Sequence, residues 1–227
     1  VLNLKNVTLF SLAWGNKLSL TKMALQKCCE QAKFYDVVFL TPPESSVSKN
    51  PIVNEINYNT FMINHLHNLI KSEFCLVVQW DGFIIDANMW QDEFFEYDYI
   101  GASWQFTGCK NCVGNGGFSL RSNKFLQISS SIKYDPHHCD WFEPQQAIDR
   151  PISPEDWFLC YHSYERMKDN NINFAPIDLA NRFSVENAGC YTQFDRNDLS
   201  TYKSFGFHYH QNIAAMNTVF ENETTKK

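Results

Sequence analysis

Residues Phe74–Asp86 read FCLVVQWDGFIID, a greasy run that ends on a carboxylate. Leu76, Val77 and Val78 make the short apolar stretch expected of a strand buried on both faces. Gln79, Trp80, Asp81 and Gly82 then break it. Burying an unpaired carboxylate is costly, so Asp81 is expected at the strand's exit into a cleft, facing a cation or a hydrogen-bond donor. The plainer reading is that Asp81 starts a turn. Gly82 lets the backbone turn there or come close to a ligand.

Upstream, Val7–Trp14 (VTLFSLAW) reads as a strand closed by Gly15-Asn16. Ser19–Ala32 has helical spacing through Leu20, Met23, Ala24 and Lys27. Asp36–Leu40 (DVVFL) reads as a second buried strand, stopped by Thr41-Pro42-Pro43. Residues 44–55 are polar and read as loop, and Tyr58–Lys71 puts Phe61, Ile63, His65, Leu66, Leu69 and Ile70 on a helix. Strand, helix, strand, helix, strand predicts a parallel sheet with right-handed crossovers. Ligands of such sheets bind beyond the carboxyl ends of the strands. That puts Ala13, Trp14, Thr41 and Asp81 on one rim and favours a functional Asp81.

Downstream the pattern is less regular. Glu96–Trp104 reads as a strand entering a loop, Val113–Ser122 as a glycine-rich turn and short strand, and Asn123–Ser131 as a short helix. Ser153–Lys168 reads as a helix with Ser153 as N-cap and Pro154 in its first turn. No repeat or linker divides the chain. The expectation is one α/β domain: residues 1–86 as a Rossmann-like nucleotide-binding half, 87–220 as an irregular acceptor and catalytic half, and 221–227 as a tail.

The 227 residues are 44% hydrophobic and 15% aromatic, enough for a sizeable core. A formal net charge of −6 without a basic run argues against nucleic acid as partner. The apolar runs are too short to span a membrane. No signal peptide is legible, and the start at Val1 leaves room for an upstream segment, so this reads as one domain of a longer protein or a complete one. Eight cysteines, two of them adjacent at Cys28 and Cys29, do not resemble a disulfide framework. A reducing, cytoplasmic setting is expected. Sequons at Asn6 and Asn222 carry no weight without a secretory signal.

Four clusters could carry chemistry. Gly114-Asn115-Gly116-Gly117 lacks the spacing of a dinucleotide or P-loop fingerprint; it is either a tight turn or a backbone loop brought close to a sugar or phosphate. Glu155-Asp156 at a helix start either complements the helix dipole or offers a general base for a hydroxyl. His208 and His210 share a face if their segment is a strand, and each alone reads equally as a structural histidine. Cys109 and Cys112, with His137, His138 and Cys139, could make a structural zinc site, although a second paired-ligand motif is missing.

In order, the motifs QxDGF from Gln79, YDYIGAxW over Tyr97–Trp104, GNGGFSLR over Gly114–Arg121, Pro154-Glu155-Asp156 and Gly206-Phe207-His208 resemble an uncharacterised domain family of proposed bacterial and viral glycosyltransferases. The matches run over residues 75–210; upstream, only the strand–helix pattern agrees. The same order resembles the wider GT-A glycosyltransferase fold. The resemblance implies a transferase moving a hexose from a nucleotide sugar, such as a UDP- or GDP-sugar, to a glycan or glycoconjugate hydroxyl in a bacterial or virus-infected host cell. It implies Asp81 in the acidic motif that holds Mn²⁺ or Mg²⁺, with His208 as a further metal ligand. Asn115, Gly116 and Gly117 would form the donor loop, alongside Gln79 and Gly82, and Glu155-Asp156 would supply the base of an inverting transfer; Ala13, Trp14 and Thr41 join the expected donor site by their place on the rim. Tyr99 and Trp104 would offer faces to sugar rings. One departure stands out: the local pattern is Trp80-Asp81-Gly82-Phe83, so the second carboxylate of the acidic motif is missing and Asp86 lies too far along to replace it. Two other readings compete, a carbohydrate-binding module on the same fold and a zinc-stabilised interaction domain.

Overall fold

The computed structural model describes residues 1–104, 110–138, 151–186 and 203–208. Five strands form the central sheet: β1 (Leu2–Leu12), β2 (Ala32–Leu40), β3 (Phe74–Val78), β5 (Tyr99–Gly101) and β6 (Phe118–Ser122), in the order β2-β1-β3-β6-β5. The first three pair in parallel, while β6 runs antiparallel to both β3 and β5. Only β6 therefore opposes the common direction. The chain has a mixed α/β fold with a mostly parallel central sheet flanked by helices, as the sequence predicts.

The opening stretch behaves as its apolar run requires. Leu76 and Val78 enter the core on one side of the sheet, and Cys75 and Val77 enter the core on the other, which is the period-two alternation of a strand. Leu9 and Phe10 of β1 divide in the same way. On the first side lies α1 (Leu18–Gln31), burying Ala24, Leu25 and Cys28. On the second lie α2 (Pro51–Asn64) and α3 (Asn123–Ser130), which contribute Met62, Ile63, Phe125 and Leu126. A small second sheet, β4 (Gly82–Ile84), β8 (Gly206–His208) and β7 (Ser184–Val185), is ordered β4-β8-β7 and continues from the end of β3.

Three local expectations change. Among the described residues strand β2 pairs only with β1, and at this sheet edge Val37, expected to be buried, is exposed. Helix α2 starts inside the supposed loop, at Pro51, with the Asn50 side chain accepting from the Ile52 amide at 3.0 Å. That is an N-cap followed by proline at the first position. The helix expected from Ser153 is broken. Pro154 is the cap, Glu155–Trp157 a single turn, Phe158–His162 a π-helical turn, and a separate helix covers Tyr164–Asp169.

Candidate functional site

The carboxyl ends of β1, β2 and β3 open on one rim, and the loop that enters the antiparallel β6 meets them there. At the exit of β3 the backbone amide of Gln79 donates to the Gly117 carbonyl at 2.8 Å, which ties the acidic motif to the glycine loop. The Gln79 side chain donates to the Tyr58 hydroxyl at 2.9 Å and faces His208 Nε2 at 3.2 Å through its oxygen. Asp81, 3% exposed, brings Oδ1 to 3.2 Å of the same Nε2. The approach is an ion-pair contact, and beyond it Asp81 Oδ1 keeps no hydrogen-bond partner among the described residues. On the other ring edge Glu186 Oε1 lies 3.8 Å from Nδ1.

Burial alone would lower the His208 pKa, but Asp81, Glu186 and Asp156 push it up to about 9. For Asp81, burial works toward a higher pKa; the charge and contact of His208, helped by Lys17, outweigh it and hold the carboxyl below its ordinary value. Lys17 stands over the Trp80 ring, 5.3 Å from its centre. The pair is thus carboxylate and imidazolium near neutral pH.

Gly117 is the floor under His208: a β-carbon there would overlap the imidazole. Gly82 has a different reason from the one expected. It pairs with His208 across β4 and β8, and a β-carbon would meet the Phe207 carbonyl at 2.5 Å, so the glycine serves strand packing. Asn115 is buried and turns its Oδ1 back on the Gly117 amide at 3.2 Å, shaping the loop.

Asp156, half-buried, accepts the Gly116 amide at 2.8 Å on Oδ2 and the Trp157 amide at 2.7 Å on Oδ1. Its neighbour Glu155 is 3% exposed and bound by both terminal nitrogens of Arg121, at 2.8 and 3.2 Å. Glu155 therefore faces the interior and does not share the rim with Asp156. Asn59 of α2 grips the turn from behind, accepting the Glu155 amide at 3.3 Å and donating to the Ser153 carbonyl at 3.3 Å.

The structure brings Gln79, Asp81, Gly116, Gly117, Asp156 and His208 together. Ala13, Trp14 and Thr41 stand at the ends of β1 and β2 on the same rim, with Trp14 6.2 Å from the Tyr58 ring and Thr41 exposed. Tyr99 is not placed as expected. It is 0% exposed, its ring lies against Phe125 and Arg121, and its hydroxyl donates to the Gly114 and Asn115 carbonyls at 2.7 and 3.0 Å. No face remains for a sugar. Trp104 is half-buried between Gly114, where a β-carbon would overlap its ring, and Trp157 at 5.0 Å.

The zinc expectation also fails at one ligand. Cys112 is disulfide-bonded, so it offers no thiolate, and the bond departs from the all-reduced cysteines expected. Cys109, Cys139, His210 and Asn222 lie outside the described residues, as does the tail. His137 and His138 are exposed. Among the described residues no three metal-ligating side chains converge. Asp81 Oδ1 would suit a hard cation. His208 Nε2 lies 3.2 Å from that oxygen and 3.2 Å from Gln79 Oε1.

Sequence reading missed Tyr58, Asn59, Lys17, Glu186 and the role of Arg121. Arg121 carried a signal, a lone charge in the otherwise small and apolar strand FSLRS. Tyr58 and Asn59 carried none, being polar positions on a helix whose start was misplaced.

No curated protein sequence matches this chain. Among solved structures, a glycosyltransferase involved in the glycosylation of the major capsid of PBCV-1 superposes with a TM-score of 0.51 at 10% identity, over 89% of this chain and 91% of that one. At that identity the likeness is one of fold. A197 from STIV superposes with a TM-score of 0.38 at 13% identity, over 74% of this chain and 79% of that one. The family described as protein of unknown function (DUF5672) matches residues 44–208, a span that holds the whole cluster from Tyr58 to His208, and the chain belongs to that family.

Proposed function

We propose that this chain is a glycosyltransferase that moves a sugar from a nucleotide sugar to an acceptor hydroxyl of a glycan or glycoconjugate. The observation that carries the reading is the juxtaposition of the half-buried Asp156 carboxylate, fixed on the Gly116 amide, with the Asp81–His208 pair across Gly117. The fold shared with the capsid glycosyltransferase supports it.

In this reading the donor lies along the rim, with its diphosphate beside His208 and Lys17, whose positive charges offset the charge left on the departing nucleoside diphosphate. The acceptor hydroxyl gives its proton to Asp156 as its oxygen bonds to the anomeric carbon and the carbon–phosphate oxygen bond breaks, which inverts the centre. Each Asp156 oxygen already accepts one amide but retains a second lone pair for that hydroxyl. A divalent ion, Mn²⁺ or Mg²⁺, would take Asp81 and donor phosphate oxygens and supply further charge neutralisation.

Release of UDP or GDP from a panel of nucleotide sugars, with and without Mn²⁺, tests the proposal. Asp156→Asn is expected to keep donor binding and lose about 10²-fold in turnover, the scale of general-base loss. Full turnover in that variant would remove Asp156 as the base. A second reading, a carbohydrate-binding module, draws on the same carboxylate: two amides on its two oxygens are also what a purely capping aspartate would hold. Calorimetry in which glycans bind but nucleotide sugars do not would favour it.

A further inference from the structure

Arg121 is fully buried, projecting from β6 beneath the glycine loop. Its donors are spread over three partners. Nη1 and Nη2 fork onto Glu155, Nη2 also reaches the Gly116 carbonyl at 3.2 Å, and Nε donates to Ser119 Oγ at 3.0 Å. Ser119 in turn donates to the same Gly116 carbonyl at 3.0 Å. The two peptide groups flanking the Gly116 Cα are therefore both held, the carbonyl by Arg121 and Ser119 and the amide by Asp156. A β-carbon at Gly116 would come within 2.6 Å of Glu155 Oε1 and 2.9 Å of Asp156 Cβ, so loop and helical turn touch directly.

A fully desolvated ion pair is a poor way to gain stability, because apolar residues of similar size do as well or better. Its value lies in direction: a planar fork fixes both the distance and the orientation of what it binds. We propose that Arg121 is a positioning residue, which sets the Asp156 carboxylate by clamping Glu155 on one side and the Gly116 carbonyl on the other. The inference rests on Asp156 being the base of the proposed transfer, but the clamp itself can be read without any activity.

The test compares Arg121→Met, Arg121→Lys and the double variant Arg121→Met/Glu155→Met, using melting temperature, amide hydrogen exchange at Gly116 and steady-state kinetics. Arg121→Met strands Glu155 and should melt early. The double variant removes both charges and should recover the melting temperature. Even so, it should exchange the Gly116 amide faster and keep kcat about 10²-fold down with KM for the donor little changed, as expected of a misplaced catalytic group. Arg121→Lys keeps the charge without the fork and should show the same kcat loss in a folded protein. Wild-type Gly116 protection and kcat in a folded double variant, or in Arg121→Lys should the double variant not fold, would overturn the proposal. If the wild-type protein transfers no sugar, the function fails while the exchange comparison still decides the clamp.

Discussion

Two buried charge pairs lie on either side of the glycine loop, and they are built differently. Arg121–Glu155 has side-chain exposures of 0% and 4%, a two-bond fork, and further partners on Nε and Nη2 of the guanidinium. Burial opposes the Arg121 charge, yet Glu155 outweighs it and keeps the pKa raised. Asp81–His208, at 4% and 13%, meets through one contact and leaves Asp81 Oδ1 and His208 Nδ1 without hydrogen bonds among the described residues. One pair is closed and the other open. Hydrogen-bond satisfaction, rather than burial or charge, is what distinguishes the two pairs.

Breaking the closed pair should have the largest effect. Arg121→Met leaves a buried carboxylate uncompensated and is expected to cost about 3–5 kcal/mol of stability, read from denaturant unfolding. A loss below about 1 kcal/mol would mean that water reaches Glu155 and that the pair is not closed.

Closed contacts of this kind also explain how far the sequence could be read. The motifs that stood out are two halves of single contacts. Asp98 accepts from Ser122 Oγ at 2.6 Å and from the Asn173 amide at 2.9 Å. Tyr99 holds the carbonyls of Gly114 and Asn115, Gly101 leaves room for the Asn115 carbonyl, and Trp104 lies on Gly114. The tyrosine-rich motif and the glycine-rich motif are thus one interlocked unit. The strand pattern of β3 was legible because alternation is local. What Tyr99 does was not, since an aromatic residue in a list of residues does not reveal whether its ring lines a cleft or its hydroxyl anchors a loop. Helix α2 hid for a related reason. Ile52 and Val53 in its first turn are exposed, at 42% and 40%, so hydrophobic periodicity begins late while the Asn50-Pro51 cap marks the true start.

The open pair should respond to pH through His208. The His208 pKa rises from 6.5 unfolded to about 9 folded, so its contribution is complete below pH 6.5 and drains away as pH climbs through 9. The melting-temperature gap between wild type and His208→Gln should therefore be wide at pH 6 and narrow by pH 10. A gap constant over that range would mean that His208 is neutral in the fold. Because Asp81, Glu186 and Asp156 all face this ring, Glu186→Gln should shift the midpoint downward.

Gly117→Ala perturbs the open pair without touching a charge. The new methyl group would overlap the imidazole, and overpacking of this kind costs about 1–3 kcal/mol. The expected signature is a raised donor KM with a modest drop in melting temperature. An unchanged KM would mean that the His208 ring can swing aside freely and that its position is not part of donor binding.

Thr41→Ala should be the mildest change and is the sharpest probe of where the open region ends. Thr41 is exposed at the end of edge strand β2, and surface substitutions of this sort stay within about 0.5 kcal/mol. Any effect on donor KM would then be a direct contact effect, free of the stability losses that complicate Arg121 and Gly117. A donor that stretches from Asp81 across β1 toward β2 must pass Trp14 before it reaches Thr41, so Trp14→Ala should raise KM more than Thr41→Ala does. The reverse order would place the donor's base over β2 rather than β1. Equal, wild-type values would confine the donor to the Gln79–His208 side, leaving the rim of β1 and β2 outside the site.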